Sequence, residues 1–134
     1  MGADNTFEKE NLNPEQPQVK TVVIHEDLIM KNGIELITEE RERQMKVEGW
    51  TPEHDDEHTV GELAMAASCY AMTPQCRTYS ITDSGWPWDS IWWKPTPQNR
   101  ILELQKAGAL IAAEIDRLQR KKAVDEFSEK TRST

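Results

Sequence analysis

The sequence predicts a mainly α-helical protein: a three-helix core with a long C-terminal helix, a small N-terminal β-hairpin and a tryptophan-rich loop. Three observations carry that reading. Between Ile101 and Leu118 apolar residues recur at spacings of three and four (Ile101, Leu104, Gly108, Ile111, Ile115, Leu118), which is the period of one helical face and predicts a buried stripe. Leu63, Ala67 and Tyr70 form a second stripe, opened by Thr59-Val-Gly-Glu62 in the pattern of a capping box. Glu39 to Glu48 makes the shortest helix, with Thr38 at its cap, two glutamates in its first turn and Gly49 at its end.

The hairpin is expected from the β-branched run Thr21-Val-Val-Ile24 and the turn signal Asn32-Gly33, pairing Val22–His25 with Ile34–Ile37. The last helix should start with Thr96 as its cap and Pro97 in its first turn, and run to about Lys122. Gly108 in its interior sacrifices about 1 kcal/mol of helix propensity, which marks a close helix crossing.

At 134 residues the chain has room for one domain. Residues 1–18 are polar, with two prolines and three asparagines, and read as a flexible arm; residues 19–122 form the domain, and residues 123–134 a fraying tail. The formal charge of -8 opposes DNA binding, which needs clustered cations to neutralise phosphates. The only locally basic stretch, Arg117 to Lys122, suits the negative end of a helix dipole. Cys69 and Cys76 are too few for a disulfide framework and fit free thiols in a reducing compartment. No apolar run reaches the ~20 residues of a membrane span, and the acidic, polar start Met-Gly-Ala-Asp-Asn is unlike a signal peptide. A cytoplasmic protein without a membrane partner is expected.

Two constellations stand out. Between Thr73 and Pro97 lie four prolines and Trp86-Pro-Trp88 and Ile91-Trp-Trp-Lys-Pro95, placing four tryptophans within eight residues. Loops this long are usually functional or disordered, and so many indoles oppose disorder. With Trp50, the indoles Trp86, Trp88, Trp92 and Trp93 can roof a slot for a flat base, an interaction worth ~1–3 kcal/mol, while Lys94 and Arg100 hold phosphates. The same indoles can equally complete a core or an interface. The second constellation, Glu53-His-Asp-Asp-Glu-His58, offers His54, Asp55 and Asp56, with Glu62 nearby, as ligands for a divalent ion such as Mg²⁺. Adjacent residues cannot all converge on one ion, however, and these acids also suit helix capping. No nucleophilic triad, glycine-rich phosphate loop or C-x-x-C pair is present.

Glu40-Arg-Glu-Arg-Gln44, Glu48-Gly-Trp50, Glu53-His-Asp-Asp56, Gly61-Glu-Leu-Ala-Met-Ala-Ala67 and the run from Lys106 to Leu118 together resemble a family of small, mostly uncharacterised phage and prophage proteins, over about residues 37–122. The opening Glu-Arg-x-Arg-Gln also resembles, more weakly, phage relatives of the MazG-type all-α nucleoside triphosphate pyrophosphohydrolases. The latter resemblance implies an oligomeric helical fold that holds Mg²⁺ through Glu-x-x-Glu on one helix and Glu-x-x-Asp on a later one. At those positions this chain has Glu62-Leu-Ala-Met65 and Glu103 followed by Lys106, keeping one carboxylate of each pair.

Three functions follow as expectations. The first is a phage-encoded, non-catalytic protein that binds a nucleotide-like small molecule, sequestering a host defence signal in the host cytoplasm. The second is a Mg²⁺-dependent nucleotide pyrophosphohydrolase. The third is an acidic module that inhibits a host protein by electrostatic complementarity. A homo-oligomer is expected from the thin Ala/Gly surface of the last helix.

Overall fold

The computed structural model describes residues 30–77 and 80–133, and within them the chain is helical, with no strands. Four α-helices follow in order: α1 Gly33–Lys46, α2 Pro52–Asp55, α3 Glu62–Ala71 and α4 Arg100–Arg132. Short 3-10 turns at Pro74–Cys76 and Ser90–Trp92 punctuate the segment between α3 and α4. Each of α1, α2 and α3 packs on α4, and α3 does so most extensively. No helix among the described residues is long and apolar enough to cross a membrane.

Helix α1 starts where a turn was expected. Asn32 accepts a hydrogen bond from the Glu35 N–H at 2.9 Å, and the Glu35 carboxylate accepts from the Asn32 N–H at 3.2 Å. This reciprocal capping box satisfies two otherwise orphaned donors and outcompetes the Asn-Gly turn. Ile34–Ile37, expected as a strand, are therefore the first turns of the helix, and its proposed partner Val22–His25 lies outside the described residues. Thr38 lies inside α1 instead of capping it, and its hydroxyl donates to the Ile34 carbonyl. Past the end of α1 the backbone of Gly49 turns left-handed (φ 76°), and the Trp50 N–H folds back onto the Gln44 carbonyl. Glycine adopts that conformation without the Cβ clash that other residues meet.

The polar loop after Trp50 contains the one-turn helix α2, whose Thr51 cap accepts from the His54 N–H. Helix α3 is capped differently from expectation. Gly61 occupies the cap position with φ 86°, and the Glu62 carboxylate accepts from the Val60 N–H at 2.7 Å, so Thr59 plays no capping part. The start of α4 is likewise shifted. Asn99 is its cap, accepting from the Leu102 N–H, and Pro97 precedes the helix. At the other end α4 continues to Arg132, ten residues beyond the expected limit. Its exposed last turns carry helix-spaced ion pairs, Lys121–Asp125 and Lys122–Glu126, of the kind that support isolated helices.

The core is built from small residues. Leu63, Ala66, Ala67, Cys69 and Tyr70 of α3 meet Ala107, Leu110 and Ala113 of α4, and Trp86 closes one side. Alanines on both faces let the two backbones approach closely. This changes the reading of the long apolar stripe. Ile101, Leu104, Ile111, Ile115 and Leu118 are between 47% and 64% exposed, so they are not the buried face. The buried face lies to one side of them, where Ala107, Leu110 and Ala113 fit beneath α3 and branched side chains would not. Gly108 does mark a close crossing: a Cβ there would lie 2.5 Å from Ile37 Cδ1 and 2.6 Å from Ile37 Cγ1.

That contact sets a test. Gly108→Ala should destabilise the protein by about 1–3 kcal/mol through overpacking. In an Ile37→Ala background the same change should stabilise it by about 1 kcal/mol, the ordinary helix preference for alanine. Urea melts of the four chains measure both; the same sign in both backgrounds would show that Ile37 does not fill the glycine site.

Candidate functional site

The functional geometry rests on a carboxylate buried at the start of α4. Glu103 is fully buried and receives Arg77 at 2.9 Å, Arg100 at 3.0 Å and the Thr96 N–H at 3.1 Å. Burial alone would raise its pKa, but these three hydrogen bonds outweigh desolvation and hold the carboxyl below its usual range. Arg77 also donates to the Cys69 and Tyr70 carbonyls, and Arg100 to those of Tyr70 and Ala71. Two guanidinium groups thus cap the C-terminal end of α3, where unpaired carbonyls gather. Arg100 is committed to this role and does not reach the tryptophan cavity.

From this hub the tryptophan loop folds onto the core as an aromatic cluster. Tyr70 packs against Trp86 at 5.7 Å and Trp93 at 4.6 Å, and Trp86 packs edge-on against Trp88 at 5.4 Å and against Trp93 at 5.0 Å. Such pairs add about 0.5–1.5 kcal/mol each beyond buried area. The Arg77 guanidinium stacks over Trp93 at 5.0 Å, so Trp93 belongs to the core side of the cluster. The Tyr70 hydroxyl accepts from the Lys94 N–H, and the Trp86 indole donates to the Asp89 carbonyl, fixing the loop path.

On the outer side of this cluster lies a cavity of about 480 Å³. Trp50, Trp86, Trp88 and Trp92 line it, together with His54, His58 and Leu63 and the carboxylates Glu48, Asp55 and Asp89. Its size lies within the range of small-molecule sites. The Trp88 indole N–H is buried and has no hydrogen-bond partner among the described residues. A second cavity of about 40 Å³ shares the walls Glu48, Trp50 and Trp92 and is lined by Gln44, Lys94 and Lys106, with Arg43 there paired to Glu40 and Glu48. There the Gln44 side-chain oxygen is buried without a donor among the described residues. Lys106 donates to the Lys94 carbonyl and lies over Tyr70 at 5.4 Å, and burial lowers its pKa.

The expected ligand set therefore divides. Trp50, Trp86, Trp88 and Trp92 converge on the main cavity, Lys94 faces the smaller one, and Trp93 and Arg100 serve the core. Glu48, Asp89, Gln44 and Lys106 were missed as site residues. Glu48-Gly-Trp50 hinted at the first through its proximity to a lining indole, and Lys106 stood out only as a lysine where an acid was looked for.

The metal ligands considered for the His/Asp loop are engaged separately. Asp55 is buried against Arg41 at 2.6 Å, Asp56 pairs with Arg120 at 2.8 Å, and Glu62 meets His58 Nδ1 at 3.2 Å. His54 is exposed beside His58, with ring centroids 5.2 Å apart. Among the described residues no group of three or more His, Cys, Asp or Glu side chains converges as a metal site. Cys69 and Cys76 are free thiols, the first buried, with its pKa raised by that burial.

No protein-family model, curated protein or solved structure matches the chain.

The Glu103 hub sets a pH dependence with a definite sign. Its folded pKa lies below that of the unfolded chain, so its stabilisation is present above the ordinary carboxylate value of about 4.3 and is lost as pH falls through the depressed folded value. Glu103→Gln leaves Arg77 and Arg100 without their buried counter-charge and should cost about 3–5 kcal/mol at pH 7. In urea melts the gap to wild type should narrow on acidification below about pH 4. A variant as stable as wild type at pH 7 would remove the hub from its structural role.

Proposed function

We propose that the protein is a non-catalytic binder of a nucleotide-like small molecule, with the base held among Trp50, Trp88 and Trp92 and the anionic end on Lys94 and Lys106. The observation that carries this reading is the pair of adjoining cavities, one aromatic and one bearing two lysines, with three shared walls. Trp92 is more than half exposed, so its indole is available to stack on an incoming ring. The two unpartnered buried atoms also fit such a ligand. The Trp88 N–H offers a donor to a ring acceptor, and the Gln44 oxygen offers an acceptor to a sugar hydroxyl. Glu48 and Asp89 at the cavity wall suit an exocyclic amine.

The carboxylates weigh against turnover. A two-metal phosphoryl site needs free acids facing a common point. Glu103 is enclosed by two arginines, and Glu62 is engaged with His58 and the Val60 N–H. Together with the phage-like pattern over residues 37–122, binding without chemistry extends to sequestration of a nucleotide-derived host defence signal.

A panel of linear and cyclic nucleotides with Mg²⁺ tests this by thermal shift and pyrophosphate release. The expected result is a shift of several degrees without pyrophosphate. Trp92→Ala should abolish the shift, and Lys106→Met should weaken phosphorylated ligands about tenfold while leaving free nucleosides unchanged, the scale of one charge-assisted hydrogen bond. Pyrophosphate release would overturn the reading in favour of a hydrolase, and silence across the panel would leave the acidic surface as the functional element.

A further inference from the structure

On either side of its crossing with α1 at Gly108, the outer face of α4 leaves apolar side chains open among the described residues. Ile101, Leu104, Ile111, Ile115 and Leu118 stand exposed along it at spacings of three, seven, four and three residues, with Gly108 filling the interval and Ile37 of α1 lying over that glycine. Ile34, one turn before Ile37 on α1, is 78% exposed. On one flank of the stripe Gln105, Ala112 and Gln119 are uncharged, and Gln105 donates to the Leu36 carbonyl of α1 at 3.2 Å. The same register meets Lys122 and Asp125 just beyond Leu118, and there the apolar face ends.

We infer that this face is a homodimer interface, in which the α1–α4 surface of one chain packs against the same surface of a second copy. The pattern and the area both point to a second copy. Past the α1 crossing, Ile111, Ile115 and Leu118 repeat at four and three, the knob spacing by which two like helices interdigitate. A closed two-fold pair needs one self-complementary patch, and an uncharged one brings no like-charge opposition to its own image. From the fractional exposures, the six side chains leave roughly 600 Å² of surface open per chain, or roughly 1,200 Å² over two copies, above the ~1,000 Å² that separates specific interfaces from incidental contacts. A patch of this size stands at the top of the range found on lone subunits, where the largest apolar patch often serves a contact.

The test is sedimentation velocity of the full-length chain over a concentration series, with far-UV circular dichroism on the same samples. Wild type should be dimeric. Ile115→Glu and Leu118→Glu, at exposed positions, should keep their helical signal and raise the dimer dissociation constant by about 100-fold or more, as burying an unpaired charge demands. Phe127→Glu, a more exposed apolar site beyond the stripe, should remain dimeric. None of the six patch residues lines either cavity, so the dimer test is read separately from any ligand result. A wild type that is monomeric at about 100 µM, a concentration well above typical specific dissociation constants, would overturn the proposal. A dimer indifferent to both glutamate substitutions would also overturn it. A monomer whose melting temperature falls on Ile115→Glu would do so as well, by assigning the face to residues 1–29 of the same chain.

Discussion

The constraint on which the rest of this structure depends is the charge of Glu103 buried beneath two arginines. A lone carboxylate at this depth would be strongly unfavourable, and a carboxylate with only one partner is rarely better than a hydrophobic residue of the same volume. Here both oxygens are used, by Arg77, Arg100 and the Thr96 N–H, and both arginines go on to the carbonyls ending α3. One cluster thereby closes three gaps: the end of α3, the beginning of α4, and the loop between them. The loop's tryptophans have a fixed floor because this cluster lies under it.

The small core explains why the loop matters so much. Alanine pairs between α3 and α4 allow a short interaxial distance but bury little area per residue, at roughly 25 cal/mol per Å². The missing apolar burial is supplied at one end by Tyr70, Trp86, Trp88 and Trp93. Trp86 is both core and cavity wall, so its loss would confound binding with folding. Trp92 shares the wall without sharing the core, and is the position at which the two can be separated.

Much of the helical framework was legible from periodicity and composition, but its faces and ends were not. The three-and-four repeat of α4 located the helix correctly, and Gly108 correctly marked a crossing. Periodicity alone cannot say whether an apolar stripe faces the chain's own core or outward, because both obey the same 3.6-residue period. The alanines beside the stripe held the answer, since they permit the close approach that α3 requires. The helix starts were misplaced for a common reason: Asn32, Gly61 and Asn99 displaced Thr38, Thr59 and Thr96 as caps. Where several capping residues lie within a few positions, the choice depends on which backbone N–H groups each can reach. The indoles were legible as a candidate site from their density. Lys106 and Gln44 were not, because they reach the cavity only after α1 and α4 cross.

Helix α4 gives each of its sectors a different task. Ala107, Leu110 and Ala113 face the core, Lys106 faces the polar cavity, and Ile111, Ile115 and Leu118 face outward. The division follows side-chain volume and charge. Small residues lie where backbones meet, and a lysine lies where its stem can cross Tyr70 and its ammonium can reach an opening. Branched aliphatics lie where the chain has nothing of its own, among the described residues, to cover them. Selection for folding alone would favour polar residues on that last sector, because they keep a monomer soluble at no loss to the core. The isoleucines and leucines there leave an apolar face open on a helix whose inner sectors already account for the fold.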